Sequence, residues 1–155
     1  MGKVPEELQN RLGIAIAKRT YKAYREMMAS PRWQELARAG TQLQRLLWAS
    51  TGTKYPNASD VLYIEALAAP DTINTMPMET LLAFADHGKV ERMLPVDGGD
   101  AEEILARFKQ AGIDGTALAS QLQEEGALSF SKSWNELIAS ISSKRDRLLT
   151  TTHRV

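Results

Sequence analysis

The chain has 155 residues, 43% apolar and 25% charged, which suits one globular domain with a solvated surface. Nineteen Lys and Arg balance nineteen Asp and Glu, so no global field draws the chain to nucleic acid or to an anionic membrane. The absence of cysteine excludes disulfides, thiolate nucleophiles and sulfur-ligated metals, and the two histidines, His87 and His153, are too far apart in sequence to start a zinc site.

Met1 to Pro5 leads into Glu6 and Glu7 instead of an apolar run, and position six lacks the Ser or Thr of a myristoylation signal. With no run long enough to span a bilayer, the composition points to no membrane contact and to the cytoplasm as default location. From Pro5 to about Ala29 the spacing predicts one long helix with a stripe of Leu8, Leu12, Ile16, Tyr24, Met27 and Met28. Its basic stretch Lys18-Arg19-Thr20-Tyr21-Lys22-Ala23-Tyr24-Arg25 reads as a solvated face with snorkelling tyrosines, not as an RNA strip. Ser30-Pro31 ends that helix. A short one follows from Arg32 to Ala39, packed through Trp33 and Leu36 and stopped by Gly40 in a left-handed cap.

Gln44 to Ser50 is an apolar run opening into the turn-rich Thr51-Gly52-Thr53-Lys54-Tyr55-Pro56-Asn57, the pattern of a strand buried on both faces and followed by a loop. A short helix is predicted over Val61–Ala69, a second strand over Asp71–Pro77, and a helix from Pro77 to His87 that Gly88 stops. After a loop to Gly99, Asp100 and Glu103 have capping-box spacing before a helix with Ile104, Leu105 and Phe108 on its buried face. Asp114 starts another helix that runs to Gly126. The last, about Ser129 to Leu149, is expected to bury Phe130, Trp134, Leu137, Ile138 and Ile141, with Trp33 and Trp48 as further packing residues. The expected organisation is 1–88 as the β-α-β-α segment with its leading helices, 89–149 as a helical extension, and 150–155 as a disordered tail. Two short apolar strands cannot make a stable sheet by themselves, so the chain should want a partner, as a piece cut from a larger α/β fold would.

Residues 46–57, LLWASTGTKYPN, and 70–88, PDTINTMPMETLLAFADHG, closely resemble transaldolases of the bacterial and plant-type subfamily, which also occur fused to glucose-6-phosphate isomerase. NRLGIAIAKRTYKAY, SPRWQELARAG and GIDGTALASQLQEEGALSFSKSWNELI resemble the family's flanking helices, so the likeness runs from about Pro5 to Ile141. It implies the C-terminal part of a (β/α)₈ barrel, with Leu46–Ser50 as strand seven, Thr72–Met76 as strand eight, and a helical C-terminal extension. It implies transfer of a dihydroxyacetone unit from a ketose phosphate to an aldose phosphate in the pentose phosphate pathway, through a lysine Schiff base and without metal or organic cofactor. In the family that lysine stands on strand four in an Ile-Lys-Val-Pro-like motif, for which this sequence has no match. The chain alone is therefore expected to be inactive, with no catalytic residue of its own.

The loops after strands seven and eight of such barrels commonly bind phosphate. By that resemblance Ser50, Thr51 and Lys54 would bind the substrate phosphate, while Gly52, Asn74 and Thr75 would line the sugar site. Related transaldolases carry an arginine where Gly52 stands, so the cationic role passes to Lys54. The serine, threonine and lysine are not a Walker motif, since no lysine and hydroxyl residue follow the glycine loop into a helix. The expected partners are sugar phosphates and either the missing N-terminal half of the barrel or another copy of the chain. Two other readings stand beside this one: a non-catalytic helical interaction module and a phosphosugar-binding fragment.

Overall fold

The computed structural model describes the backbone of residues 4–152, so His153 and the end of the expected tail lie outside the described residues. Two compact units divide after Ile113. This division falls later than the expected boundary at 88/89 and keeps the helix Ala101–Gln110 with the helix Arg11–Ala29 on which it packs.

The first unit opens with a 3₁₀ turn, Glu6–Leu8, and helix α1, Arg11–Ala29. The expected single helix from Pro5 is broken at Asn10, whose φ of 60° is left-handed, a conformation that asparagine tolerates better than most residues. Ser30 then ends α1 and starts α2, Pro31–Arg38, because its hydroxyl reaches back to the Met27 carbonyl at 2.6 Å and accepts from the Trp33 amide at 3.3 Å. Gly40 closes α2 with φ 90°, as its position predicted, but Leu36 stays exposed and Trp33 only half-buried.

Strand β1, Leu46–Trp48, and strand β2, Thr72–Asn74, pair in parallel, with Leu46 opposite Thr72 and Trp48 opposite Asn74. Both are shorter than the apolar runs suggested. The short helix α3, Leu62–Ala66, lies between them in sequence, and α4, Met78–His87, follows the second. Gly88 follows α4 in extended conformation, and the Phe84 ring leaves no room there for a Cβ.

Side chains alternate along the strands, and only one face of the sheet is covered. Trp48 and Leu46 pack with Ala17, Tyr21 and Tyr24 of α1 and with Leu67 and Leu94. Leu47 and Ile73, on the other face, are 47% and 39% exposed, so the expected burial on both faces is corrected. The tyrosines do not snorkel either. Tyr21 is fully buried and donates its hydroxyl to the Pro70 carbonyl at 3.3 Å, while buried Tyr24 donates to the Asp71 carbonyl at 3.3 Å. Burial, followed by the Asp71 charge, pushes the Tyr24 phenol up from its ordinary value. Arg25 adds an ion pair to Asp71 at 2.6 Å, so one face of α1 fixes the residues that lead into β2.

Helix α5, Ala101–Gln110, lies on α1 through a second core of Leu8, Ala15, Ile104 and Phe108. The expected capping box does not form, because Asp100 turns its carboxylate to Lys18 at 2.5 Å and Arg11 at 3.5 Å. Arg19 holds Glu102 through two bonds of 2.7 and 2.6 Å. The basic strip of α1 is thereby committed to carboxylates of its own chain.

The second unit is α6, Gly115–Thr152, one helix in place of the two expected, with Asp114 accepting from the Thr116 amide at 2.8 Å at its start. Gly126 does not break it. A mid-helix glycine costs only about 1 kcal/mol relative to alanine, which the flanking helix formers absorb. The residues expected to be buried, Phe130, Trp134, Leu137, Ile138 and Ile141, are all exposed.

Two outcomes test this packing. Tyr21→Ala should lose about 3–5 kcal/mol of stability by the cost of truncating a buried aromatic, and Tyr21→Phe about 1 kcal/mol for the lost hydroxyl bond, both read from urea unfolding. Asp100 and Glu102 are held below the usual carboxylate range, first by the hydrogen bonds from Lys18 and Arg19 respectively. Their contribution is therefore complete above about pH 4–5 and is lost as pH falls through the depressed values. An Asp100→Asn, Glu102→Gln variant should show a flatter loss of unfolding midpoint on acidification than the parent chain.

Candidate phosphate-binding site at the strand ends

Parallel pairing brings the C-terminal ends of β1 and β2 to one edge. The Thr75 amide donates to the Trp48 carbonyl at 2.9 Å, and the Thr51 amide donates back to the Thr75 carbonyl at 3.2 Å, so the ladder is carried past both strands. The Ser50 amide points to the Thr75 hydroxyl at 3.4 Å. Between these bonds Ser50 has φ 56°, a left-handed conformation that costs a serine about 1–2 kcal/mol and turns the chain sharply out of the sheet.

Thr51 is buried, and its hydroxyl lies 2.6 Å from Asn74 Oδ1 and 3.2 Å from the Thr75 carbonyl. These contacts bring four of the residues singled out in the sequence, Ser50, Thr51, Asn74 and Thr75, to one corner. Thr51 and Asn74 satisfy one another there, which clasps the two strand ends together.

Beside this corner is a cleft of about 410 Å³ lined by Ser50, Gly52, Thr53, Lys54, Asp60, Pro77, Glu79 and Thr80. Gly52 allows the loop to approach the start of α4, since a Cβ there would stand 3.0 Å from Pro77 Cγ. Lys54 is exposed and forms no ion pair among the described residues. Thr51, Asn74 and Thr75 are not in the lining. Thr53, Asp60, Glu79 and Thr80 are, and sequence reasoning missed all four. The buried Thr80 and the Thr53 hydroxyl, which is buried with no partner among the described residues, carried no sequence signal, being ordinary turn and helix residues. Pro77 was the available hint, because at the N-cap of α4 it has no side-chain acceptor to occupy the first-turn amides.

Ser50, Thr53, Lys54 and the first turn of α4 together offer hydroxyl donors, a point charge and backbone amides, while Asp60 and Glu79 bring opposite charge. Asp60 is engaged with His87 at the far end of α4, 2.9 Å from its Nε2, and Asp86 lies 3.3 Å from Nδ1. The bond to Asp60 raises the imidazole above its ordinary value, with that to Asp86 second, and the same bond holds Asp60 below the usual carboxylate range. A larger hollow of about 800 Å³, lined by Ile14, Lys18, Glu65, Lys89 and Arg92 among others, contains no strand-end residue, and its Lys18 is already paired with Asp100. No group of three or more potential metal ligands occurs among the described residues, and no described helix is long and apolar enough to cross a membrane.

Residues 2–141 match the family model of transaldolase/fructose-6-phosphate aldolase. Curated relatives named transaldolase are 44% identical over 138 residues in Parafrankia sp., 40% over 141 in Frankia alni and 43% over 144 in Saccharopolyspora erythraea. These alignments cover 88%, 90% and 92% of this chain but only 37%, 38% and 39% of the relatives, so the chain spans a little over a third of the length of the transaldolases it matches. With a family match across nearly all its residues, this chain belongs to the transaldolase/fructose-6-phosphate aldolase family.

Proposed function

We propose that this chain is the C-terminal portion of a transaldolase and supplies the phosphate end of its sugar site. The single observation that carries the reading is the parallel strand edge, where Ser50 and Lys54 share a cleft beside Asn74 and Thr75, in a chain of this family. In this reading β1 and β2 are strands seven and eight of a (β/α)₈ barrel, and the bare sheet face carrying Leu47 and Ile73 is turned to its interior. The Ser50 hydroxyl and the Lys54 ammonium hold the phosphate of sedoheptulose 7-phosphate or fructose 6-phosphate, with Thr51 fixing the corner behind them. Gly52 lines the approach, and Asn74 and Thr75 flank the sugar. The dihydroxyacetone unit then passes to an aldose phosphate through a Schiff base on a lysine outside this sequence, in the pentose phosphate pathway and in the cytoplasm.

Binding at the phosphate end serves the chemistry by orientation. A phosphate fixed by charge and hydroxyl donors sets the distance from the strand ends to the ketone carbon, so remote binding energy positions the reacting bond. Lysine offers a point charge instead of the planar fork of arginine, which holds phosphate with less angular constraint.

The experiment is borohydride trapping with fructose 6-phosphate. The chain alone should give no covalent adduct and no dihydroxyacetone transfer, whereas an adduct on Lys54 would overturn the assignment. Mixed with an N-terminal transaldolase fragment, the chain should restore transfer. Lys54→Ala in that mixture should raise KM for phosphorylated donors by about tenfold or more, the size of one lost charge-assisted bond, with little change in kcat. Failure of complementation, with a stable isolated fold, would favour a non-catalytic helical module.

A further inference from the structure

The cleft beside the strand ends is charged the wrong way for an anion. Among its described lining residues one cation, Lys54, stands against two carboxylates, Asp60 and Glu79. A phosphate ester adds about two more negative charges at neutral pH, so an uncompensated wall would repel the group that Ser50 and Lys54 are placed to hold. One of the two acids has a partner. Asp60 Oδ1 lies 2.9 Å from Nε2 of His87, and Asp86 Oδ2 lies 3.3 Å from Nδ1 of the same ring. With a carboxylate at each ring nitrogen, only the doubly protonated imidazolium donates to both. The backbone that carries the ring is held beside Asp60 as well, because the Lys89 amide donates to Glu65 of α3 at 2.8 Å.

We propose that His87 is a positioning residue for the phosphate end of the site: as the imidazolium it holds Asp60 and offsets that acid's charge against an incoming dianion. The inference rests on the reading of this cleft as a phosphate site, and it adds a pH dependence that Ser50 and Lys54 do not supply. His87 itself does not line the cleft and acts through Asp60. Asp60 from the loop before α3 and Asp86 from α4 are the charged groups bonded to the ring, and Lys54 and Glu79 are those that share the cleft with Asp60. The bond to Asp60, with that to Asp86 second, raises the imidazole above its ordinary value, while the same bond holds Asp60 below the usual carboxylate range. Asp60 is therefore ionised throughout the range in which His87 titrates. His87 is charged below its raised value and loses its proton as pH rises through it, in a window that begins above about pH 6.5. Anion affinity is then highest on the acid side of that window and falls across it.

Sulfate is the probe, because its two charges do not change between about pH 5.5 and about pH 8.5, whereas a phosphate ester itself titrates near pH 6. Its affinity is read from amide shifts of residues 50–54 in the full 155-residue chain at constant, low ionic strength. The parent chain should bind sulfate about threefold more weakly at the alkaline end, the size of one exposed charge pair. His87→Gln should bind at the weaker level at both ends, since glutamine can donate to Asp60 without carrying charge. Asp60→Asn should bind at the tighter level at both ends, since asparagine still accepts from the ring but leaves no acid to offset. The chain has only two histidines, so the His87→Gln spectrum assigns the ring, and its titration midpoint in the parent should coincide with the midpoint in sulfate affinity. Circular dichroism verifies that each variant keeps the fold. Sulfate binding in the parent that ignores pH, or equal weakening by both substitutions as a purely structural bridge would give, overturns the role of His87 alone. Sulfate that shifts no amide of residues 50–54 at any pH overturns the phosphate reading and this inference with it.

Discussion

The parallel pairing of Leu46–Trp48 with Thr72–Asn74 is the constraint on which the rest of the first unit depends. It is a short pairing, and three residues on each side give too few ladder bonds to stand alone in water. Its support is α1. Tyr21 and Tyr24 bury their rings against Trp48 and spend their hydroxyls on the Pro70 and Asp71 carbonyls, and Arg25 holds the Asp71 side chain. Removing the ring of Tyr21 thus acts on both strands at once: it opens the core under β1 and releases the turn into β2. Helix α5 in turn holds α1 in place through Phe108, Ile104 and the paired charges of Lys18 and Arg19. A chain of contacts from α5 to α1 to the strands fixes the corner where Ser50 leaves the sheet in a left-handed turn.

The molecule also carries two apolar surfaces that its own described residues leave open. One is the sheet face with Leu47 and Ile73, and the other is the stripe of Phe130, Trp134, Leu137 and Ile141 on α6. Such surfaces are costly in water, at about 25 cal/mol for each Å² of apolar area left uncovered. They differ in kind. The sheet face has flanking strand edges with unpaired backbone groups, which call for further strands. The helical stripe has its backbone hydrogen-bonded within the helix. The chain matches a little over a third of the length of its relatives.

Much of this architecture was legible in the residues. The order of elements from Ser30 to Gln110 followed from local signals: Ser30-Pro31, Gly40, the run around Trp48, Pro77 and Gly88 all end or begin an element where their chemistry says they should. The strand-end motifs also pointed to one corner, and the structure brings Ser50 and Thr51 together with Asn74 and Thr75. Other features depended on partners that local reading cannot see. Asp100 had the spacing of a cap, but Lys18, eighty-two residues earlier, takes its carboxylate. Tyr21 stands in a basic stretch and off the predicted apolar stripe, and its burial follows only from the packing of α1 over β1. Gly126 read as a stop because glycine is weak in helices, yet one weak residue among strong helix formers does not end a helix. Thr53 and Thr80 line the cleft through the approach of a loop to a helix start, a tertiary event with no signature in either segment.

The corner of Ser50, Thr51, Asn74 and Thr75 depends on the backbone bonds that join β1 to β2 beyond Trp48. Amide hydrogen exchange resolved by NMR measures this most directly, at Thr51 and Thr75, whose amides donate across the strand ends. Both should exchange slowly and at similar rates, since they report one shared opening of the pair, and Tyr21→Ala should accelerate both together. Exchange at the free-chain rate for both amides in the intact protein would mean that the strands do not pair there, and Ser50, Thr51, Asn74 and Thr75 would have no common corner.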